Sequence, residues 1–218
     1  MKVLFKDFNQ EAFSFQNDPV LVLEEFWTPE DQDFFQNAMN QATWKRLADM
    51  PAVTRAFPNC GNWSKGDMGQ REKERFLDKI NLPCITDYTG SSPDSKQAHL
   101  NLNYFSYEVG DCLFIHDDTN KADVTSQQAS SLRRLTIAAY FHDEWDADWG
   151  GELIIYNEEK DETGKQTTVE ISECIAPEPR SLVMFTVPRF HRLCRIDPRA
   201  TGGYRQLSVE TWFMTGDK

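Results

Sequence analysis

The hydrophobic pattern divides the chain into two parts at about residue 96. Before this point, helix-like segments alternate with polar stretches; after it, short apolar or alternating runs follow one another closely. The segment "PVLVLEEFW" (19–27) is an exception in the first part. Its four consecutive apolar residues form a short run, partly of β-branched residues, which favours a β-strand.

A helix is predicted directly after this strand, over about residues 29–48. Thr28 can cap it, Pro29 suits its first turn, and the apolar residues that follow recur on one face. Residues 51–70 contain Pro, Gly and Asn at many positions and therefore indicate a loop. The segment "REKERFLDKI" (71–80) predicts a second helix.

Eight short runs in the second part predict β-strands, because Gly, Pro and Asp clusters separate them. They read "LNLNYFSYEV", "CLFIH", "LRRLTIAAYF", "GELIIY", "TTVEISECI", "SLVMFTV", "FHRLCRI" and "YRQLSVETWF". This spacing indicates an antiparallel sandwich or barrel. The charged stretch "NEEKDETGK" (157–165) predicts a solvated hairpin tip with Gly164 in its turn. We therefore predict an α+β protein with one domain over 1–218, of which about 1–95 is helical and about 96–218 is β.

Composition and charge narrow the function. The chain has 218 residues, 39% of them hydrophobic, which is ordinary for a globular protein. A net charge of -12 and the lack of a basic stripe argue against a nucleic-acid partner. No apolar run approaches the roughly 20 residues that a membrane helix needs, and the first residues do not resemble a secretion signal. Five scattered cysteines without a CxxC pair fit a reducing cytoplasm.

The stretch "FIHDDTN" (114–120) is the first candidate for chemistry. Residues i and i+2 of a strand share a face, so His116 and Asp118 could bind one metal ion while Asp117 points away. A chain with 4 His and 35 acidic residues contains roughly 0.6 such pairs by chance, and a second pair, His142 with Glu144, is present. The pair alone is therefore weak support for a metal site. Non-haem iron oxygenases add a third ligand, and His191 at the end of a later apolar run could supply it.

The order of the surrounding motifs resembles that of the Fe(II)- and 2-oxoglutarate-dependent dioxygenases, in particular their prolyl 4-hydroxylase-like branch. The motif "Y-x-x-G-x-x-x-x-x-H-x-D" is matched by Tyr107, Gly110, His116 and Asp118. The motif "R-x-x-T-x-x-x-Y" and a later "G-G-x-L" are matched over residues 133–153, and Phe185 precedes the distal His191. A strand leading into a helix at 19–35 and a final Trp-Phe strand complete the match, so the resemblance covers most of 19–214.

The resemblance implies a double-stranded β-helix, which is a distorted jelly roll, braced by N-terminal helices. It also implies that His116, Asp118 and His191 ligate Fe(II), and that His142 is only a polar residue at a strand end. The implied reaction uses 2-oxoglutarate and O2 to hydroxylate an unactivated C–H bond, with ascorbate as a possible stimulant. Because Asp118 is retained where related halogenases have a small residue, hydroxylation is expected rather than halogenation.

The cosubstrate site departs from the pattern of the family. The resemblance assigns Tyr140 to the pocket that holds 2-oxoglutarate and places Tyr107 near the iron. Tyr107 could equally be a core residue of its strand with a satisfied hydroxyl. The resemblance also requires an arginine six residues before Trp212, but that position is Gln206, and Arg205 stands one residue earlier. A bulge in the last strand would turn Arg205 inward. Alternatively, Arg205 is an ordinary solvent-facing residue of this strand. Other cations could replace it, and the candidates are Arg195, Arg199 and Arg133.

The substrate is not readable from these motifs. Prolyl hydroxylation of a protein or peptide is the leading expectation, and a free amino acid or other small metabolite is the alternative. The polar segment 119–131 could form a lid that sets this choice. A non-catalytic jelly-roll binding module is a third hypothesis, which only the displaced arginine favours. A monomer or weak dimer is expected.

Overall fold

Two β-sheets packed against each other form the structure, a computed structural model that describes residues 1–90, 98–118, 131–160 and 166–216. The helices of this part of the chain are α1 Pro29–Gln41, α2 Pro51–Ala56, α3 Gln70–Lys79 and α4 Pro83–Thr89. Its strands are β1 Lys2–Leu4, β2 Val20–Glu24, β3 Trp44–Arg46, β4 Ser64–Asp67, β5 Ala98–Leu100, β6 Asn103–Tyr107, β7 Leu113–His116, β8 Ser131–Tyr140, β9 Leu153–Lys160, β10 Gln166–Ile175, β11 Leu182–Thr186, β12 His191–Leu193 and β13 Gln206–Gly216. None of the described helices is both long and apolar enough to cross a membrane.

The larger sheet has nine strands in the order β1-β2-β11-β8-β13-β6-β4-β3, with β5 paired to β13. The smaller sheet has four strands in the order β10-β9-β12-β7. Apart from the parallel pair β1 and β2, neighbouring strands are antiparallel. This arrangement confirms the predicted α+β fold with two jelly-roll sheets.

Strand β2 shows why strands of the larger sheet appear in the sequence as continuous apolar runs. Leu21 and Leu23 pack with the helices on its outer side, whereas Val20 and Val22 pack between the two sheets. Both faces of this strand are therefore buried, and the sequence cannot show a polar alternation there. Strand β8 follows the same rule, with Ala138 facing the space between the sheets.

Helix α1 begins as predicted but ends earlier. Thr28 and Asp31 form a reciprocal capping box, in which the Asp31 N–H donates to Thr28 Oγ1 at 3.2 Å. The predicted end near residue 48 is wrong, because α1 stops at Gln41 and Trp44 begins β3. The indole of Trp44 lies over Gly66 of β4, so contacts across the sheet override the local helical pattern.

The N-terminal part contributes more than bracing helices. Its strands β1 to β4 all join the larger sheet, and the stretch 51–70, predicted as a loop, contains α2 and β4. The predicted helix at 71–80 is confirmed as α3. Gly164, the predicted hairpin residue, and all but the last residue of the predicted lid (119–131) lie outside the described residues.

Candidate active site

Two histidines meet where the smaller sheet borders the space between the sheets. His116 is the last residue of β7 and His191 is the first residue of β12, and the two strands pair with His191 directly opposite His116. The imidazole ring centroids are 4.2 Å apart. Strand pairing alone thus places two nitrogen donors side by side, although 75 residues separate them in sequence.

Asp118 joins this pair through a turn. It follows the end of β7 and has a left-handed φ of 60°, so the strand alternation assumed from the sequence does not bring it there. One ligand atom from each of His116, Asp118 and His191 lies within 4.8 Å of the others. Asp117, which was predicted to point away, lines the adjoining cavity as well.

Backbone carbonyls fix the orientation of both imidazoles. The Nδ1 of His116 lies 2.7 Å from the Phe114 carbonyl oxygen, and the Nδ1 of His191 lies 2.9 Å from that of Arg189. If each Nδ1–H donates to its carbonyl, each Nε2 keeps a lone pair for a metal ion. Burial, together with the neighbouring His116, lowers the pKa of His191 to about 4, which keeps this ring neutral near pH 7.

Asp118 is buried, with 7% of its surface exposed, and is held by two donors. Its Oδ2 accepts hydrogen bonds from Thr136 Oγ1 at 2.7 Å and from Trp212 Nε1 at 2.5 Å. Burial works against ionisation, but the two histidines and these hydrogen bonds outweigh it and hold the pKa of Asp118 below its ordinary value. Thr136 and Trp212, which sequence reasoning left without a chemical role, therefore orient the carboxylate.

The donor set fits iron(II). Two neutral imidazoles and one carboxylate that converge from one side are the ligands of non-haem iron oxygenases, and they leave other coordination positions open. Among the described residues no other group of His, Cys, Asp and Glu side chains converges in this way. His142 lies elsewhere: it is buried, and its Nε2 is 2.6 Å from the Pro177 carbonyl oxygen. Its role as a polar residue at a strand end agrees with this position.

A cavity of about 400 Å³ opens beside the three converging side chains. Helix α2 and its flanks form one wall, which is largely apolar and consists of Met50, Ala52, Val53, Ala56 and Phe57. The Phe57 ring stands edge-on to His116, with ring centroids 5.2 Å apart. Sequence reasoning missed this wall because Pro51 and Pro58 led to a loop prediction, although "PAVTRAF" is rich in apolar residues.

A polar region lies on the larger sheet within the same cavity. Tyr140, Glu210 and Lys65 line it, and Tyr140 is only 2% exposed. Burial and the nearby Asp118 raise the pKa of Glu210 to about 7, even though Ser208 donates a hydrogen bond to it. Tyr107 does not line the cavity; it is fully buried behind it, with its hydroxyl 3.4 Å from Glu210 Oε1.

The structure does not bring the predicted arginine to this cavity. Arg205 is exposed and borders a separate shallow pocket, because β13 runs from Gln206 to Phe213 without the bulge that would turn it inward. Arg195 donates to two backbone carbonyls, and Arg199 pairs with exposed aspartates. The side chain of Arg133 lies outside the described residues. Gln206 is fully buried, and neither of its amide atoms has a hydrogen-bond partner among the described residues.

Comparison with known proteins identifies a related family. The model of the 2OG-Fe(II) oxygenase superfamily matches residues 102–214, which include all three converging side chains. A prolyl 3-hydroxylase from Mus musculus, OGFOD1, is 23% identical over 214 residues. That match covers 94% of this chain but 35% of the mouse protein, so the chain spans about a third of the length of this curated relative.

Solved structures of several oxygenases share the fold. An oxidoreductase of the 2OG-Fe(II) oxygenase family from Burkholderia pseudomallei aligns with a TM-score of 0.60 at 7% identity, covering 99% of this chain and 96% of that one. A prolyl hydroxylase from Trichoplax adhaerens, in complex with a hypoxia inducible factor peptide fragment, gives 0.57 at 16% identity, with coverage of 92% and 86%. The viral collagen prolyl hydroxylase of Paramecium Bursaria Chlorella virus-1, in complex with 2OG, gives 0.55 at 13% identity, with coverage of 92% and 98%.

Proposed function

The chain belongs to the 2OG-Fe(II) oxygenase superfamily, and from this premise we propose that it hydroxylates a prolyl residue of a protein or peptide. The observation that carries this proposal is the convergence of His116, Asp118 and His191 at the wall of a cavity of about 400 Å³. In this proposal these three residues hold Fe(II), and Tyr140 contacts 2-oxoglutarate. Bound iron and 2-oxoglutarate would supply the oxidising chemistry, in which O2 is consumed and 2-oxoglutarate is converted to succinate and CO2.

The protein's own residues contribute position and environment. Thr136 and Trp212 occupy Oδ2 of Asp118, which leaves Oδ1 directed toward His116, 3.5 Å from its Nε2. A ligand set held in one orientation by such contacts binds a metal ion more tightly than a freely rotating one. The buried surroundings of His191 restrict water access on one side of the site.

The apolar wall formed by α2 supports a substrate group with little polarity, such as a proline ring. The ring of Phe57 lies against His116, so a substrate in contact with this wall would also lie beside the proposed iron position. The prolyl specificity of the mouse relative and of two proteins that share the fold supports the same choice. A free amino acid would leave more of the apolar wall uncovered.

Several further points belong to the same proposal. We propose one catalytic domain over residues 1–218, acting as a monomer or weak dimer without nucleic acid, and stimulated by ascorbate. The five cysteines form no disulfide, which supports work in a reducing cytoplasm.

The test is an assay of succinate formation from 2-oxoglutarate with Fe(II) and ascorbate. Peptides containing proline should raise the rate above that of the protein alone and should gain one oxygen atom by mass spectrometry. Matched peptides with alanine in place of proline should do neither, and His116→Ala should abolish turnover. Stimulation by a free amino acid but by no peptide would refute the prolyl assignment, whereas no succinate under any condition would refute the enzymatic one.

A further inference from the structure

Lys65 is the only cation among the described residues that line the cavity. The same lining contains three carboxyl groups, those of Asp117, Asp118 and Glu210. A dicarboxylate such as 2-oxoglutarate would therefore meet mostly like charge unless Lys65 compensates. Gln206, which occupies the position of the expected arginine, is neutral and lies outside the lining.

Strand register places Lys65 in one row with Tyr140. Lys65 of β4 pairs with Phe105 of β6, Phe105 pairs with Ser208 of β13, and Ser208 pairs with Tyr140 of β8. Residues in register across neighbouring strands share a face of the sheet, and Lys65, Phe105 and Tyr140 all line the cavity. Three strand spacings separate Lys65 from Tyr140, about 14 Å between backbones, and both side chains line the same cavity.

The positive charge of Lys65 has no carboxylate of a described residue close enough to form an ion pair. Burial withdraws it from water and lowers its pKa, and the positive charge of Lys45 adds to this effect. Asp67 and, to a smaller extent, Glu210 favour the charged form, but Lys65 forms no ion pair within 4 Å with any described residue. A half-buried lysine without a close carboxylate would gain stability from an anionic ligand.

On the basis of the proposed function, we infer that Lys65 binds the far carboxylate of 2-oxoglutarate, with Tyr140 as its partner on the opposite side. The cation for the cosubstrate thus comes from β4 in the N-terminal part of the chain and not from the last strand. A lysine donates hydrogen bonds as a compact point charge, so it can serve a carboxylate without the flat geometry that arginine requires.

The test compares two 2-oxo acids in anaerobic protein loaded with Fe(II). 2-Oxoglutarate and 2-oxopentanoate chelate the metal through the same end, but 2-oxopentanoate has a methyl group in place of the far carboxylate. Titration is followed by the visible absorption band that Fe(II) forms with a chelating 2-oxo acid, so no turnover is needed. The wild-type protein should prefer 2-oxoglutarate.

Lys65→Met should weaken 2-oxoglutarate binding by about tenfold or more and leave 2-oxopentanoate binding within about twofold. Lys65→Arg should keep the preference, because it keeps the charge. Lys45→Met is the matched control, since Lys45 is the exposed register partner of Lys65 on β3, and it should change neither affinity. Lys65→Gln provides a second neutral variant, and circular dichroism confirms the fold of each.

Two results would overturn the inference while the proposed function stands. In the first, folded Lys65→Met and Lys65→Gln proteins bind both acids as the wild type does. In the second, Arg133→Gln removes the preference while both Lys65 variants retain it. The second result would assign the cation to β8. A wild-type protein that binds neither acid would overturn the proposed function itself, and with it this inference.

Discussion

Glu210 allows a quantitative test of the electrostatics of the cavity. Burial and the nearby Asp118 raise its pKa from 4.5 to about 7, so the folded chain holds this proton more tightly than the unfolded chain does. Because one pKa unit corresponds to about 1.4 kcal/mol, the ionised carboxylate should destabilise the fold by at most about 3 kcal/mol. For a raised pKa, the favourable contribution is complete below about pH 4.5 and is lost as pH rises toward 7.

Glu210→Gln should therefore stabilise the protein in a pH-dependent way. The Gln oxygen can still accept the hydrogen bonds from Ser208 and Tyr107, which leaves the charge as the main change. We expect a gain in unfolding free energy of about 1 kcal/mol at pH 5 and about 3 kcal/mol at pH 8.

Urea unfolding followed by circular dichroism measures this gain in the metal-free protein, so that no cation neutralises Asp118 and Glu210. Glu74→Gln, at an exposed position of α3, is the matched control and should show no such trend. A gain that is equal at both pH values, or a loss of stability at pH 8, would refute the reasoning.

Three other variants test the site residue by residue. Trp212→Phe removes the indole donor to Asp118 and should lower Fe(II) affinity by about 10- to 100-fold, measured by competition with a chelator; an unchanged affinity would show that this contact does not orient the ligand. Arg205→Gln should leave 2-oxoglutarate affinity within about twofold, because this side chain is exposed outside the cavity, and a larger loss in the anaerobic titration would contradict its placement. Phe57→Ala should raise the KM for a prolyl peptide several-fold through loss of the apolar wall, with 2-oxoglutarate affinity unchanged; equal effects on both ligands would argue against a substrate role.

The convergence of the three side chains proposed as iron ligands could be predicted from the sequence because their order and spacing are distinctive. His116 and His191 end and begin strands that pair directly, and each strand is recognisable by its short apolar run. The backbone conformation that brings the Asp118 carboxylate to the two histidines was not predictable in the same way. It depends on a left-handed residue after β7 and on donors from β8 and β13, and none of these leaves a local signal in "HDD".

The apolar wall and the ends of helices were predicted less well, for a related reason. Helix α1 stops where Trp44 can pair β3 with β4, and this contact forms only in the folded sheet. Helix α2 spans six residues, too few to show a repeated helical period, and Pro51 at its start and Pro58 beyond its end are typical of a loop. The apolar residues of α2 become candidates for substrate contact only because the folded chain places them beside His116.

Arg205 shows that one position along a strand decides whether a side chain is exposed or buried. Arg205 and Gln206 are adjacent, yet the unbroken register of β13 leaves Arg205 exposed and buries Gln206. A sequence motif that places a cation six residues before Trp212 cannot report this, nor can it report a lysine on β4, two strands away from β13 in the sheet. Lys65 and α2 both belong to the part of the chain before residue 96, and both line the cavity beside the ligands. The N-terminal part therefore cannot be a brace alone: a fragment limited to the later strands would keep the three proposed ligands but lose the apolar wall and the only described cation of the cavity. In this chain, residues of both parts line the cavity, which supports the proposal that residues 1–218 form one catalytic domain.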